Sequence, residues 1–179
     1  HPVGCRENVR QQIEYTKKLG KIDGYKNILI IGASTGYGLA SRIASAYGYG
    51  ASTIGVSFER EAKGKRTATA GWYNTKAFEE FATADGYYAK SINGDAFSTE
   101  IKTETINLIK EDLGQVDMII YSLASPRRTT ADGITYTSAL KTIDCEFTNK
   151  SLDLRTNEIT QASVSSATQE EIESTIKVM

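Results

Sequence analysis

Four short apolar segments recur along the chain at intervals of about thirty residues, and they constrain the fold more than any other feature. The segments are residues 27–31, 53–58, 87–92 and 116–121. Each is mostly apolar and of strand length, which predicts four β-strands. Apolar runs of this kind are typical of parallel strands that are covered on both faces. The segments therefore predict an α/β fold with a doubly wound parallel sheet.

The stretches between these segments carry apolar residues three and four positions apart, which is the spacing of an amphipathic helix. The apolar positions are Leu39, Ile43, Ala46 and Tyr47 in the first stretch, Ala77, Phe78 and Phe81 in the second, and Ile101, Ile106, Ile109 and Leu113 in the third. We expect Asn74 or Thr75 to cap the second helix and Ser98 to cap the third. One more helix is expected upstream, and its apolar positions are Val9, Ile13 and Leu19.

Three glycines directly follow the first predicted strand, in the sequence IIGASTGYGLASR. The ligands of a parallel sheet bind beyond the carboxyl ends of its strands, where this turn lies. We expect Gly32 to allow a tight turn, Gly36 to leave room for a phosphate, and Gly38 to let the next helix pack closely. The first turn of that helix would then offer unpaired N–H groups to a pyrophosphate. The alternative is that the glycines serve only the tight turn.

The glycine spacing and the end of the second strand bear on which nucleotide is bound. The spacing G-x-x-x-G-x-G differs from the G-x-G-x-x-G of many dinucleotide enzymes, and the lack of a lysine after Gly38 disfavours a nucleoside triphosphate. Glu59 follows the second strand, where its carboxylate can accept hydrogen bonds from ribose hydroxyls, which favours NAD over NADP. The basic residues Arg60, Lys63, Lys65 and Arg66 could instead bind a 2′-phosphate.

The third and fourth predicted strands also end in residues suited to a dinucleotide. Asp95 can accept a hydrogen bond from the adenine amino group, and the small Ala96 leaves room for the ring. Alternatively, Asp95 serves only as the acceptor of an Asx turn. Leu123 and Ala124 follow the fourth strand, where a cofactor would cross the edge of the sheet.

Composition and length exclude several classes of protein. The chain carries 21 Lys and Arg against 22 Asp and Glu, so its net charge of −1 supplies no strong field for nucleic acid or an anionic membrane. Its apolar runs are far shorter than the roughly 20 residues of a membrane-spanning helix. Cys5 and Cys145 lack the spacing of a zinc site, so we expect no metal and a cytoplasmic location. At 179 residues, a single domain over residues 1–179 is expected.

The pattern changes after Ser125, where the sequence becomes polar and rich in threonine. Asp132-Gly133 is a turn signal, and residues 134–136 alternate like a short hairpin arm. This part is expected to cover or extend the domain. The last residues have helical spacing but no capping glycine, so we expect the chain to be a piece of a longer one. The spaced positions are Ile172, Ile176 and Met179.

Six blocks of sequence resemble the single-chain trans-2-enoyl-CoA reductases, which are similar to a class of bacterial enoyl-acyl-carrier-protein reductases in the short-chain dehydrogenase/reductase superfamily. The blocks are residues 1–5, the glycine segment IIGASTGYGLASRIA, and residues 55–60, 69–74, 89–97 and 121–129. Together they extend over nearly the whole chain. Ile31 departs from the superfamily, which often has Thr before the first glycine.

The resemblance implies a Rossmann-like, NAD-binding fold that is incomplete relative to the family's full chain. It also implies an enzyme of fatty-acid metabolism that uses NADH to reduce the C2–C3 double bond of a trans-2-enoyl-CoA or enoyl-acyl-carrier-protein, acting as a monomer. The implied cofactor-binding residues are Gly32, Ala33, Ser34, Thr35, Gly36, Tyr37, Phe58, Glu59, Asp95, Ala96, Leu123 and Ala124.

The family's catalytic tyrosine and lysine are implied to lie beyond residue 179, with eight residues between them. No tyrosine of this chain has a lysine four, seven or nine positions downstream. No catalytic residue is therefore assigned within residues 1–179. The alternative function is a non-catalytic dinucleotide-binding module or redox sensor.

Overall fold

The structure, a computed structural model, describes residues 1–178. Met179, which belongs to the helical spacing near the chain end, lies outside the described residues. The chain divides into two compact units, His1–Ala124 and a second unit that begins at Ser125. The expectation of a single NAD-binding domain over residues 1–179 stays a prediction.

In the first unit, helices and strands alternate along the chain. The elements are α1 (Pro2–Leu19), β1 (Asn27–Ile31), α2 (Gly36–Ala44), β2 (Ser52–Ser57), α3 (Ala70–Ala84), β3 (Ala89–Asn93), α4 (Thr99–Asp112) and β4 (Met118–Tyr121). A π-helical turn, Ser45–Tyr49, continues α2. The four predicted strands and the helices between them are confirmed, with shifts of one or two residues at most strand ends.

The strands form one sheet in the order β3-β2-β1-β4, and all its pairs are parallel. Ile30 of β1 lies opposite Gly55 of β2 and Ile120 of β4. Because β1 has β2 on one side and β4 on the other, the chain reverses its winding direction at β1. The predicted α/β fold with a doubly wound parallel sheet is confirmed.

Alternate residues of β1 belong to different apolar clusters, as the two-residue period of a strand requires. Ile28 and Ile30 share a cluster with Ala33, whereas Leu29 lies with Ile54 in a cluster against which Ile109 of α4 packs. The helices α1, α2 and α3 meet in a third cluster, formed by Val9, Ile13, Leu39, Ile43, Ala46, Tyr47, Ala77, Phe78 and Ala82. Both faces of the central strands β1 and β2 are therefore covered.

One of the predicted apolar positions in α4 is wrong. Ile106 is 50% exposed, whereas the neighbouring Thr105 is buried. The Thr105 hydroxyl donates a hydrogen bond to the carbonyl oxygen of Ile101 at 2.7 Å, so the buried hydroxyl is satisfied within its own helix. A threonine can therefore take the core-facing position that simple hydrophobic periodicity assigned to isoleucine.

The predicted cap of the second crossover helix is also wrong, whereas that of the third is confirmed. The helix α3 begins at Ala70 with Thr69 at the N-cap, so Asn74 and Thr75 lie inside it, where both are buried. In α4, the Ser98 hydroxyl accepts a hydrogen bond from the backbone N–H of Ile101 at 3.2 Å. The difference arises because Thr69 lies in a polar stretch in which the sequence shows no apolar spacing.

The second unit consists of two hairpins and a helix. Its elements are β5 (Arg127–Thr129), β6 (Thr135–Thr137), β7 (Phe147–Asp153), β8 (Glu158–Val164) and α5 (Gln169–Val178). The antiparallel β5–β6 pair confirms the predicted hairpin arm. The helix α5 is joined to this hairpin by the Ser174 hydroxyl, which accepts from the N–H of Thr137 at 3.1 Å and donates to its carbonyl oxygen at 2.9 Å.

The β7–β8 hairpin was not predicted from the sequence. Its seven-residue strands pair antiparallel along their whole length, and almost all of their residues are exposed. Such strands lack the alternation of apolar and polar residues by which a half-buried strand is recognised.

Among residues 1–178, no helix combines the length and the apolar character needed to cross a membrane.

Candidate functional site

The candidate site lies at the edge of the sheet where the parallel strands of the first unit end. The structure places every predicted cofactor-binding residue in the segments that directly follow the four strands. Residues 32–37 follow β1, Phe58 and Glu59 follow β2, Asp95 and Ala96 follow β3, and Leu123 and Ala124 follow β4. This edge next to β1 is where ligands of doubly wound folds bind.

Two glycines of the loop after β1 are required by close approach of backbone to backbone. Gly32 has φ +88°, and a Cβ atom there would lie 2.0 Å from the carbonyl oxygen of Ser122 after β4. A Cβ atom at Gly38 would lie 1.9 Å from the carbonyl oxygen of Gly32. Any larger residue at either position would therefore push the loop, α2 or β4 apart.

Gly36, the third glycine, faces open space. It has φ +53°, and a Cβ atom there would meet no protein atom within 4 Å. It is the first residue of α2, and the Thr35 side chain at the N-cap makes no capping hydrogen bond. Thr35, Gly36 and Tyr37 are exposed, so the N–H groups of the first turn point to a part of the loop that an anion can reach.

The acidic residue after β2 is in contact with the glycine loop. The Ser34 hydroxyl donates a 2.6 Å hydrogen bond to Oε1 of Glu59. Asn93 at the end of β3 holds the backbone of Glu59 from the other side: its Oδ1 accepts from the Glu59 N–H at 2.8 Å, and its Nδ2 donates to the Glu59 carbonyl at 2.9 Å. Ser34 of the glycine loop and Asn93 at the end of β3 thus hold Glu59 beside that loop.

Residues of α3 complete this arrangement and were missed as site residues. The Asn74 side chain, predicted to be a helix cap, instead donates from Nδ2 to the carbonyl oxygen of Ser34 at 3.1 Å. Gly71, also in α3, is buried directly against Glu59 and Ser34. Both lie in the block 69–74 that resembles the family, but a polar residue and a glycine early in a helix do not by themselves indicate a site.

Asp95 forms the turn that the alternative interpretation predicted. Its Oδ1 accepts a 2.9 Å hydrogen bond from the backbone N–H of Phe97, which is an Asx turn. The Ser98 hydroxyl donates to the Asp95 carbonyl oxygen at 2.8 Å and so links this turn to the start of α4. Contact of Asp95 with an adenine stays a prediction.

Two exposed aromatic side chains and a basic loop lie near the same edge. Tyr37 is 88% and Phe58 is 77% exposed, which leaves both rings available to a ligand. The basic residues after Glu59 are all exposed, and they are Arg60, Lys63, Lys65 and Arg66. They lie in the connection between β2 and α3, in which the backbones of Lys63 and Arg66 pair with each other.

Both parts of the chain match models of one protein family. Residues 66–179 match the model described as the trans-2-enoyl-CoA reductase catalytic region, and residues 1–64 match that of the NAD(P)H binding domain of trans-2-enoyl-CoA reductase. A trans-2-enoyl-CoA reductase [NADH] of Clostridium perfringens is 55% identical over 100% of this chain and 46% of its own length. An enoyl-[acyl-carrier-protein] reductase [NADH] of Flavobacterium johnsoniae is 57% identical with the same coverage. The chain spans about half the length of these relatives.

Solved structures of similar proteins share the fold. A trans-2-enoyl-CoA reductase of Clostridium acetobutulicum in complex with NADH superimposes with a TM-score of 0.93 at 50% identity, over 100% of this chain and 46% of that one. The Treponema denticola trans-2-enoyl-CoA reductase in complex with NAD gives a TM-score of 0.92 at 48% identity, over 99% and 46% of the two chains.

Proposed function

Because the chain belongs to the trans-2-enoyl-CoA reductase family, we propose that it carries the dinucleotide site of an NADH-dependent enoyl-thioester reductase. The whole enzyme reduces the C2–C3 double bond of a trans-2-enoyl thioester to the saturated acyl thioester. The family models that match residues 1–64 and 66–179 support this proposal, as do relatives that are named for NADH.

The observation that carries the proposal is the open space at Gly36. A Cβ atom would fill part of that space, which adjoins the exposed first turn of α2, and a pyrophosphate fits there because it needs close contact with backbone N–H groups. Residues 32–37 would hold the pyrophosphate, and Phe58 with Glu59 would hold the adenosine ribose. Asp95 with Ala96 would bind the adenine, and Leu123 with Ala124 would lie toward the nicotinamide.

Bound NADH supplies the hydride for the reaction. The residues of this chain bind and orient the dinucleotide, and the glycine loop keeps backbone N–H donors directed at the pyrophosphate. The thioester carbonyl develops negative charge during reduction and needs a positioned donor. We propose that this donor is the family's tyrosine, supported by its lysine, both further along the chain than residue 179.

The substrate class follows from the names of the relatives. One is named for enoyl-CoA and another for enoyl-[acyl-carrier-protein], so we propose a trans-2-enoyl thioester on one of these two carriers. We further propose that the enzyme acts in fatty-acid metabolism in the cytoplasm, as a monomer.

The substitution Gly36→Val tests the dinucleotide site. A branched side chain at this position enters the space assigned to the pyrophosphate, so NADH affinity should fall by a factor of ten or more, roughly the loss of one or two backbone hydrogen bonds to a charged group. The measurement is the dissociation constant for NADH by fluorescence titration, with the fold checked by circular dichroism.

The matched control is Gly86→Val. Gly86 has φ +82° and nothing within 4 Å of its Cβ position, so it imposes a comparable backbone strain, but it lies between α3 and β3 at the opposite edge of the sheet. NADH affinity should be unchanged in this control. Equal affinities in the two folded variants would refute the placement of the pyrophosphate.

A further inference from the structure

The Glu59 carboxylate is held in place by contacts within the protein itself. The Ser34 hydroxyl donates to its Oε1 at 2.6 Å, and the Asn93 side chain forms two hydrogen bonds to the Glu59 backbone. A long, flexible side chain on a loop normally samples many rotamers, and fixing it costs conformational entropy. Here that cost is met during folding, by contacts from the ends of β1 and β3.

The first turn of α3 packs closely against another side of the carboxylate. A Cβ atom on Gly71 would lie 2.0 Å from Oε1 of Glu59, 2.4 Å from its Cδ, and 2.9 Å from Cβ of Ser34. No real side chain tolerates such distances, so any residue larger than glycine would displace either Glu59 or α3. Displacing α3 would also break the buried hydrogen bond from Asn74 to the Ser34 carbonyl, whereas the half-exposed Glu59 can move into solvent.

We propose that Gly71 and Asn93 are positioning residues that determine the choice between NADH and NADPH by holding Glu59, an inference that rests on the proposed function. A carboxylate held in this position accepts hydrogen bonds from the hydroxyls of the adenosine ribose and repels the 2′-phosphate of NADPH. Gly71 admits the carboxylate between Ser34 and α3, and Asn93 fixes the backbone from which it extends.

Because basic residues follow Glu59, the position of its carboxylate determines which of the two cofactors the loop favours. Arg60, Lys63 and their basic neighbours lie exposed in the next ten residues, and guanidinium and ammonium groups are suited to phosphate. A carboxylate that moves away into solvent stops opposing a 2′-phosphate that these cations can bind. The same loop would then favour NADPH, so selectivity depends on where the carboxylate lies as well as on its presence.

The test is Gly71→Ala in the protein as its gene encodes it. The dissociation constants of NADH and NADPH are measured by fluorescence titration, and their ratio is the readout, because general loosening of the fold weakens both cofactors alike. We expect the preference for NADH to fall by roughly tenfold, the factor associated with a lost hydrogen bond to a charged group. An unchanged ratio in folded protein overturns the inference.

Two further variants keep the test decisive. Gly4→Ala is the matched control, since Gly4 also lies in a helix and has nothing within 4 Å of its Cβ position, so the ratio should stay at the parent value. Asn93→Ala removes two hydrogen bonds at an exposed position and adds no atoms, so it decides the question if Gly71→Ala does not fold. A lowered preference for NADH in Asn93→Ala supports the inference, and an unchanged one overturns it.

The parent protein separates this inference from the proposed function. If the parent protein prefers NADH and the variants show the same preference, the proposed function is supported and the inferred role of Gly71 and Asn93 is refuted. A parent that binds neither dinucleotide removes both.

Discussion

Arg42 shows how a buried charge can support the site without touching it. Its side chain extends from α2, and it donates to Oγ of Ser91 at 2.7 Å, to the carbonyl oxygen of Lys90 at 2.6 Å, and to Oγ1 of Thr53 at 3.3 Å. Burial lowers the pKa of the guanidinium to about 10, which still leaves it charged at neutral pH. This one residue thus links the helix of the glycine loop to β2, which precedes Glu59, and to β3, which ends at Asn93.

Arg42 also accounts for a glycine within β2. A Cβ atom on Gly55 would lie 2.5 Å from Nη1 of Arg42, so β2 can carry no side chain where the guanidinium crosses it. The other side of the guanidinium packs on the Phe78 ring, with its central carbon 4.6 Å from the ring centroid.

Tyr47 makes the free energy of unfolding depend on pH at alkaline values. Its side chain is buried, and its hydroxyl donates to Oδ2 of Asp85 at 2.9 Å. Burial, followed by this hydrogen bond to a carboxylate, raises the pKa of Tyr47 above its ordinary value. An unfolded tyrosine ionises near pH 10. The stabilisation is therefore complete below about pH 10 and is lost as the pH rises toward the folded pKa.

We expect Tyr47→Phe to cost about 1 kcal/mol at pH 8, the value of a typical hydrogen bond. The difference from the parent should shrink at about pH 11, since phenylalanine has no proton to lose in the unfolded state. Urea unfolding of both proteins at the two pH values measures this. Tyr88, whose pKa is also raised by burial, is present in both proteins and cancels from the comparison. A constant difference across the two pH values would contradict the assignment.

At the scale of elements, the strands were more predictable than the helix starts. The central strands β1 and β2 are buried, and the segments of all four strands are mostly apolar in sequence, so they can be recognised without knowledge of their neighbours. The start of α3 was misplaced because its N-cap, Thr69, lies in a polar stretch in which no apolar spacing marks the beginning of the helix. The exposed β7–β8 hairpin was missed because its pairing depends on backbone hydrogen bonds and not on an apolar face.

The N-cap of α4 gives a test at this scale. Ser98→Ala removes the acceptor for the Ile101 N–H and the donor to the Asp95 carbonyl, and it should lower the free energy of unfolding by about 1 kcal/mol. Thr35→Ala is the control, because Thr35 is also an N-cap but makes no side-chain capping hydrogen bond. Urea denaturation should show a clearly smaller loss in the control, and equal losses would show that the Ser98 cap contributes nothing specific.

At the scale of the whole molecule, the proposed dinucleotide site lies at the carboxyl ends of β1 to β4, whereas the family's tyrosine and lysine are expected further along the chain than residue 179. We predict that a chain ending at Met179 binds NADH weakly and does not oxidise it with crotonyl-CoA, because the proposed donor for the developing enolate charge is expected beyond that residue. The loss of NADH absorbance on addition of crotonyl-CoA measures this, with the chain end verified by intact mass.

The comparison for this experiment is the chain extended through its natural downstream sequence. A tyrosine and a lysine with eight residues between them in that sequence, together with turnover, would decide for the reductase. Their absence would favour the non-catalytic dinucleotide module. Turnover by the chain that ends at Met179 would show that the donor lies within these residues.

The sequence by itself determined the alternation of strands and helices and the position of the glycine loop. These features are local, because strand and helix periods and turn glycines are each visible within a few neighbouring residues. The tertiary structure alone decided which residues surround Glu59. Ser34, Gly71 and Asn93 are 12 to 34 positions away from it in the sequence, and no local pattern links them. They meet only because parallel strands bring their carboxyl ends to one edge, where α3 packs closely enough that only glycine fits.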